Sequence, residues 1–496
     1  MSSEPRYVFG PLDRRALLLG LRGSQVAVLG ASLIVVLAVL ARVPAPASLP
    51  VAFAVAAAAA LVCFLPVADR TLDEWAPVTL RWARQRLSGA HRFQSDVPSR
   101  GHSSAGEATA DLPPTLQGVE ILAAEAALGG QIGVIADRRG DTYTALLAVA
   151  GEAFALRESS EKARLLAGWD SVLRSFGGEA SPIERVQWLE RTAPDDGDAL
   201  GRDLRARIAV PLSSAMARSY LEVLDDAGPV STQHDVLLAV QISPRRAGKL
   251  MRQPGLSKDE AACRILVDQL RRLEGQLLRA DLHPVAGGLT PRMTARALRL
   301  AADPQARTGL AQRALHHPDA AGVDPANAWP LAAEATWRTY RTDSAVHATY
   351  WVAEWPRAIV GPDFLAPLLL ATDATRTVSV TMEPIGTGKA IREVEHARTT
   401  DLAEAHLRES KGFLTSHRKS REHENTDRRA AQLQEGYADF RFSGYVTVTA
   451  ASVAELDAAC AEVVAAAQRS SLELRRMTGE QDLAFTYTLP LCRGLR

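Results

Sequence analysis

The stretch QIGVIADRRGDTYTALLAV, residues 131–149, decides the fold class of this chain. Two apolar segments, Gln131–Asp137 and Thr142–Val149, flank the polar sequence RRGD. Apolar segments of this length, joined by a short turn that contains glycine, are typical of a β-hairpin. The sequence therefore predicts an antiparallel strand pair at this position.

Helices and strands alternate on the C-terminal side of this hairpin. The pattern predicts, in chain order, a helix over 160–176, a strand over 183–190, a long helix over 201–225 and a strand over 235–242. The order β-β-α-β-α-β is typical of a ferredoxin-like α+β sandwich, whose sheet carries helices on one face. We assign this first lobe to residues 119–256.

A second α+β lobe is predicted over residues 344–496, after a helical connector over 257–343. Its strands are predicted over 344–355, 378–382, 442–450, 472–475 and 483–489, and its helix over 452–469. A very polar stretch over 390–436 is predicted to form a helical hairpin that projects from the sheet. The two lobes share an architecture but no sequence repeat, so two ferredoxin-like lobes are expected.

Two uncharged apolar stretches precede the lobes, over residues 24–41 and 49–67. As helices, each would be about 27–28 Å long at roughly 1.5 Å per residue, close to the thickness of the bilayer core. They lie close together in the chain, so we expect a transmembrane α-helical hairpin over 24–67. A signal peptide is the competing interpretation of the first stretch, which is long for such a segment.

Basic residues give this hairpin its expected orientation. Arginines precede the first stretch and follow the second, whereas the turn between them carries Arg42 alone. Since cytoplasmic flanks collect Lys and Arg, both termini are expected in the cytoplasm, including the N-terminal segment 1–23. The expected localisation is therefore a multi-pass protein of the plasma membrane. Residues 68–118 are interpreted as an amphipathic juxtamembrane segment and a linker.

The composition limits the class of function. Lys plus Arg equals Asp plus Glu at 57 each, so no net charge draws the chain toward nucleic acid. The four cysteines lie far apart and form no CxxC pair. They predict reduced thiols of a cytoplasmic protein, and neither a disulfide framework nor a zinc site.

The segment MEPIGTGKA, residues 382–390, comes nearest to a phosphate-binding loop. Such a loop requires glycine where Glu383 stands and a Ser or Thr where Ala390 stands. A carboxylate at the first position would repel phosphate, and alanine offers no hydroxyl to magnesium. We therefore interpret the segment as a turn between a strand and a helix.

No other motif predicts catalysis or metal binding. The histidines of the polar stretch do not share a helix face, as metal ligands would. They are His396, His406, His417 and His423. A glycosyltransferase-like Asp-x-Asp is present only at Asp196 and Asp198, in a loop. Trp351 and Trp355 are expected on one face of a strand, packed in the core. The sequence thus predicts no catalytic residue, no metal and no cofactor.

Several stretches of the sequence carry a family resemblance. The strongest is HATYWVAEWP to TVSVTMEP, residues 347–384. The others are YVFGPLDRR, LGLRGSQ, ADRRGDTYTALLAVAGEAFALRE, NAWPLAAEATWRTY, GYVTVTA and FTYTLP. Through them the chain resembles actinobacterial conjugation-associated membrane proteins. In that family a PrgI-like two-span hairpin is fused to a domain similar to the N-terminal, non-motor part of the type IV secretion conjugation ATPase.

The resemblance implies a non-catalytic scaffold subunit at the inner membrane. In the conjugation ATPases the chain continues beyond a Leu-Pro pair, here Leu489-Pro490, into a RecA-like motor, whereas this sequence ends at Arg496. The expected role is to anchor or template a separate ATPase. The partners implied are a secretion or conjugation ATPase, a coupling protein, other inner-membrane subunits and membrane lipid, in an oligomeric complex.

Other functions stay open at this point. One is a cytoplasmic-facing membrane subunit of a type VII secretion complex. Another is a membrane-anchored enzyme, such as a degenerate nucleotide hydrolase or a glycosyltransferase-like protein that would use Asp196 and Asp198. A third is an adaptor that contacts nucleic acid through the locally basic block 416–421, for which a solvated helix is the simpler interpretation.

Overall fold

The structure is a computed structural model that divides into two compact units. Of the described residues, those within 92–477 and 481–495 form the larger unit, and those within 23–91 and 478–480 form the smaller. The described residues are 23–42, 44, 46–67, 70–95, 111–126, 129–150, 154–194, 210–211, 213–227, 232–317, 321–395, 399, 427–433 and 435–495.

The smaller unit contains three helices and a short strand pair among its described residues. They are α1 (Gly23–Arg42), α2 (Ser48–Phe64), β1 (Pro66–Val67), β2 (Arg70–Thr71) and α3 (Leu72–Leu87). The two apolar helices pack against each other. The side-chain amide of Gln25 on α1 donates a hydrogen bond to the carbonyl of Cys63 on α2 at 2.8 Å. The predicted pairing of two apolar helices is thus present.

The second apolar helix is shorter than the sequence predicts. It ends at Phe64, Leu65 is extended (φ −79°, ψ 112°), and Pro66 begins β1. The cause is the proline ring, which disfavours helical geometry in the residue before it. With its 17 residues, α2 is about 26 Å long, less than the roughly 30 Å of a bilayer core.

The expected multi-pass localisation is therefore wrong. Among the described residues, α1 is the one helix long and apolar enough to cross a membrane. It lies near the N-terminus, where a signal sequence has the same character. A single candidate of this kind does not support several membrane passes.

The larger unit is built on a sheet of 13 antiparallel strands. The strands are β3 (Arg92–Gln94), β4 (Val119–Glu125), β5 (Gln131–Asp137), β6 (Thr142–Ala150), β7 (Ile183–Pro194), β8 (Thr232–Ile242), β9 (His283–Gly288), β10 (Ala332–Ala335), β11 (Tyr340–Thr342), β12 (Val346–Glu354), β13 (Arg376–Ile385), β14 (Asp439–Ala450) and β15 (Glu473–Arg476). Their lateral order is β3-β10-β11-β12-β14-β13-β7-β8-β6-β5-β4, with β15 paired to β12 and β9 paired to β6.

Helices connect these strands. They are α4 (Ser159–Phe176), α5 (Ala215–Ala227), α6 (Pro244–Ala247), α7 (Lys258–Arg279), α8 (Pro291–Ala302), α9 (Ala306–His316), α10 (Ala366–Leu370), α11 (Val453–Arg469) and α12 (Gln481–Phe485). Helices and an antiparallel sheet in one unit confirm the predicted α+β class.

Two halves of the sheet have the same topology. In the first half the elements that the halves share follow the chain order β6-α4-β7-β8-α7-β9, with α5 inserted between β7 and β8 and α6 before α7, and the lateral order is β9-β6-β8-β7. In the second half the chain order is β12-α10-β13-β14-α11-β15 and the lateral order is β15-β12-β14-β13. The halves meet where β7 pairs with β13, from Thr192↔Arg376 to Val186↔Met382. One sheet therefore runs through both predicted lobes.

Each face of the sheet is covered differently. On one face, apolar strand residues pack against helices of both halves, for example Leu147 against Leu270 on α7 and Val446 against Val463 on α11. On the other face, the centre of the sheet contacts the C-terminal segment 481–495, which we call the strap. The sheet is thus buried on both sides near its middle.

The strap is the clearest error in the predicted secondary structure. A strand was expected over 483–489, but α12 ends at Phe485 and a 3₁₀ turn follows over Thr486–Thr488. The alternation of larger side chains with threonine in FTYTLP imitates a strand, but in the structure Phe485, Thr486, Thr488 and Leu489 are all buried. Its backbone bonds to side chains of the sheet face, including Gln187 and Ser379, and not to a strand edge.

A bulge changes the expected placement of two tryptophans. The register of β12 against β15 shifts between Val352 and Glu354. As a result Trp355 packs with Val352 against the core of the second half, whereas the guanidinium of Arg475 lies 5.9 Å from the ring of Trp351. The two rings do not share a face, because a bulge inserts one residue into the strict alternation.

Two predicted helical segments fall partly outside the described residues. Of the helix expected over 201–225, residues 215–225 belong to α5, whereas residues 210, 211, 213 and 214 are described and not helical, so the helix was predicted to start too early. Of the polar stretch 390–436, residues 387–395 and 427–433 are helical at its two ends. Val394 and Leu433 pack together with Ile385 at the end of β13. The middle of that stretch lies outside the described residues.

Candidate binding cavity

The first half of the sheet holds a cavity of about 280 Å³. It lies where β6 and α7 end and β9 begins, beneath α4. Its lining is mainly apolar. The apolar side chains include Val149, Leu165, Trp169, Trp188, Leu238 and Leu277. Three titratable residues, Glu190, Asp281 and His283, also line it.

The carboxylate of Glu190 is nearly enclosed. Glu190 follows Trp188 on the helix-covered face of β7, and its side chain is 9% exposed. His234 on the neighbouring strand β8 lies beside it, with Nδ1 at 2.8 Å from Oε1 of Glu190. Two hydroxyls hold the imidazole in place. They belong to Thr192, 3.2 Å from Nδ1, and Thr232, 3.3 Å from Nε2.

Burial dominates the electrostatics of Glu190. Loss of water around the carboxylate raises its pKa, while the hydrogen bond and charge of His234 and the charge of Arg376 act in the opposite direction. Arg376 is itself fully buried, and burial lowers its pKa. Its guanidinium donates to the main-chain carbonyls of Thr372 (2.7 Å) and Ala374 (3.0 Å), and also to that of Leu369. Glu190 is thus a carboxylate at the floor of an apolar cavity.

The mouth of the cavity is formed where α7 ends. Asp281 has left-handed backbone geometry (φ 60°), and the N–H of Leu282 donates to the carbonyl of Leu277 at 2.9 Å. This is a Schellman motif, which turns the chain sharply into β9. The carboxylate of Asp281 accepts a hydrogen bond from Arg164 on α4 at 2.7 Å. Asp281 is thereby neutralised at the rim, while Glu190 lies inside.

The second half has a cavity at the equivalent topological position, where β12 and α11 end and β15 begins. Its volume is about 580 Å³ and it is more open. Both carboxylates of its lining already form ion pairs, Glu354 with Arg357 and Glu473 with Arg475. Of the two cavities, the first therefore offers the more enclosed carboxylate.

The segment that came nearest to a phosphate loop is a turn, as predicted. Glu383 lies within β13 and accepts a hydrogen bond from Nε of Arg185 at 3.1 Å. Residues 387–395 then form a helix. The carboxylate expected to repel phosphate is thus engaged in an ion pair across the sheet.

The structure does not describe the other residues considered from the sequence. Asp196, Asp198 and the four histidines of the polar stretch lie outside the described residues. Within the part of the chain that the structure describes, no group of three or more His, Cys, Asp or Glu residues is placed to hold a metal ion.

One feature of the sequence indicates the buried carboxylate of the cavity. In IERVQWLE the residues Val186, Trp188 and Glu190 alternate onto one face of the strand. Glu190 continues a series of residues whose side chains point to the buried face of the sheet. Its position therefore indicates a carboxylate on that face. The contribution of His234 was not visible, because its approach depends on the pairing of β7 with β8.

Comparison with models of known protein families gives no match for this chain, and comparison with curated protein sequences gives none either.

Proposed function

We propose that this protein is a non-catalytic scaffold subunit of a conjugation or type IV-like secretion complex, which anchors or templates a separate ATPase. The proposal rests on the sequence resemblance. Its expected partners are that ATPase, a coupling protein and other inner-membrane subunits, with several copies in the complex. In this proposal α1 is the candidate for attachment to a membrane among the described residues.

One structural observation supports the proposal. The strongest stretch of the resemblance, HATYWVAEWP to TVSVTMEP, contributes β12 and β13, and the further stretch GYVTVTA forms part of β14, which lies between them. The closing stretch FTYTLP lies across the same strands, where Ser379 donates to the carbonyl of Tyr487 at 3.0 Å. Stretches that lie far apart in the sequence thus form one continuous region of the structure. This is what we expect if the resemblance reflects a fold that this chain has in common with the family.

The same proposal includes the finer fold description. In the elements that they share, both halves have the chain order β-α-β-β-α-β and the lateral order fourth, first, third, second strand. This order supports a description of each half as a ferredoxin-like unit. The fold hosts many unrelated functions, so it favours no activity by itself.

The test is purification of the tagged full chain from its native host after mild crosslinking and detergent extraction, followed by mass spectrometry. Recovery of a conjugation-type ATPase, with crosslinks to residues of the larger unit, would support the proposal. Recovery of type VII core subunits would assign the chain to the alternative complex.

A control sample washed at high salt before crosslinking removes contacts that rest on exposed charges alone. If the chain is recovered without any ATPase in both samples, the scaffold proposal fails. An enzyme would then be the better hypothesis, with Asp196 and Asp198 as the first residues to replace.

A further inference from the structure

We propose that the cavity of the first half binds a small organic cation with an apolar body, whose ammonium group contacts Glu190 and whose body lies beside Trp169 and Trp188. This inference is independent of the scaffold function. It concerns a ligand of this chain and no other subunit.

The carboxylate of Glu190 can accept a hydrogen bond from such a ligand. Oε1 of Glu190 is engaged by His234 at 2.8 Å. Among the contacts of the described residues, Oε2 has no hydrogen-bond partner. A buried carboxylate gains much from a charge-assisted hydrogen bond, because little water competes for it. An ammonium group supplies that bond together with the missing positive charge.

The walls suit the rest of the ligand. Two indole side chains line the cavity, and indole is the best aromatic partner for a cation. The remaining surface is mostly aliphatic, so an apolar body gains from burial. The cavity volume of about 280 Å³ lies just below the roughly 300–1,000 Å³ of drug-sized sites, which indicates a compact ligand.

The surrounding charges favour a cation over an anion. Inside the cavity, the side chain of Glu190 contacts His234 of β8. The positive charge of Arg376 on β13 also acts on Glu190, but the guanidinium donates its hydrogen bonds to main-chain carbonyls. At the mouth, Asp281 is paired with Arg164, and His283 lies 3.9 Å from Asp281. Glu190 is therefore the group that meets the ligand. Because burial raises the pKa of Glu190, its protonation would oppose binding, and affinity should rise as the pH is raised from the acidic side.

The experiment is calorimetric titration of the full chain, solubilised in an uncharged detergent, with three indole probes of matched shape. Tryptamine carries an ammonium group, 3-ethylindole is neutral, and indole-3-propionic acid carries a carboxylate. Tryptamine should bind at least about tenfold more tightly than 3-ethylindole, as one charge-assisted hydrogen bond in a desolvated site allows. The acid should bind most weakly.

Two variants test whether the preference for tryptamine depends on Glu190. Glu190→Gln keeps the shape of the side chain and should abolish the preference for tryptamine while 3-ethylindole still binds, which also shows that the cavity remains folded. Glu354→Gln changes a carboxylate of the equivalent cavity, which is paired with Arg357, and should leave the preference unchanged.

Three results would overturn the proposal. They are equal affinity for the three probes, a preference for tryptamine that survives Glu190→Gln, and no binding of any probe up to its solubility limit. Since all are measured on the isolated chain, they are distinguishable from failure of the scaffold proposal, which concerns recovered partners.

Discussion

The side chain of Gln187 on β7 accepts a hydrogen bond from the main-chain N–H of Cys492 in the strap, with Oε1 and N separated by 2.8 Å. Its Nε2 lies 2.7 Å from Oγ of Ser379 and 3.0 Å from the carbonyl oxygen of Leu489. Gln187 is fully buried. One amide therefore joins both halves of the sheet and the end of the described chain.

Replacement of this amide should be costly. Gln187→Met keeps the length of the side chain but leaves the N–H of Cys492 and the carbonyl of Leu489 without their partner. At about 1–3 kcal/mol for each of these two unsatisfied buried groups, the free energy of unfolding should fall by roughly 2–6 kcal/mol. Urea denaturation measures it. Gln131→Met, at an exposed position of β5, is the control and should change stability little.

Gly133 allows β5 to approach α8 closely. A Cβ there would lie 2.9 Å from Cα of Pro291 and 2.5 Å from Oγ1 of Thr294. Gly133→Ala should therefore destabilise the fold by about 1–3 kcal/mol through overpacking. Gly309→Ala is the matched control in α9, where nothing lies within 4 Å, and it should stabilise by about 0.5–1 kcal/mol. Equal effects of the two variants on the melting temperature would contradict this packing.

His347 on β12 should make stability depend on pH. It is fully buried between hydroxyls of Thr342 (2.7 Å) and Thr449 (2.9 Å), and burial lowers its pKa to about 3. Since the unfolded imidazole titrates near 6.5, the unfolded chain binds a proton between these values that the folded chain does not. Stability is complete above about pH 6.5 and falls as the pH falls, by at most about 1.4 kcal/mol per pH unit.

His347→Gln removes the titratable imidazole and keeps a side chain that can form hydrogen bonds. The difference in urea midpoint between wild type and variant should shrink as the pH is lowered from about 6.5 toward about 4.5. A difference that stays constant over this range would show that His347 does not carry the dependence.

Two serines cap equivalent helices of the two halves. Ser257 accepts from the N–H of Glu260 at the start of α7, and Ser452 accepts from the N–H of Glu455 at the start of α11, both at 3.3 Å. Replacing either by alanine should cost about 1 kcal/mol. The double variant should cost the sum within about 0.5 kcal/mol, because the caps share no partner. A clear departure from additivity in urea denaturation would reveal coupling between the halves.

Local patterns predicted much of the fold. The strand pair at 131–149, the helix capped by Ser257 and the helix capped by Ser452 lie where the sequence places them. Short strands such as β10 and β11 escaped prediction because three or four residues carry too little periodicity. The pairing of β7 with β13 could not be predicted, since nothing local specifies a partner almost two hundred residues away.

The cavity was predictable only in part. The inward position of Glu190 follows from strand alternation, but its burial depends on α4 and on the end of α7. The proximity of His234 depends on the register of β8. Such relationships arise from tertiary pairing, which composition and periodicity do not encode.

The antiparallel pairing of β7 with β13 also sets the distance between two places where the chain leaves the sheet and where a partner protein could bind. In each half, a long break in the sheet follows the second strand, after Pro194 in one and after Ile385 in the other. Because the two strands run in opposite directions, these exits lie at opposite ends of the seam. With the 12 residues of β7 at about 3.3 Å each, they are separated by roughly 40 Å. A single partner domain that touches both exits must therefore be at least as wide as a small globular domain, whereas two smaller partners would each meet their own end.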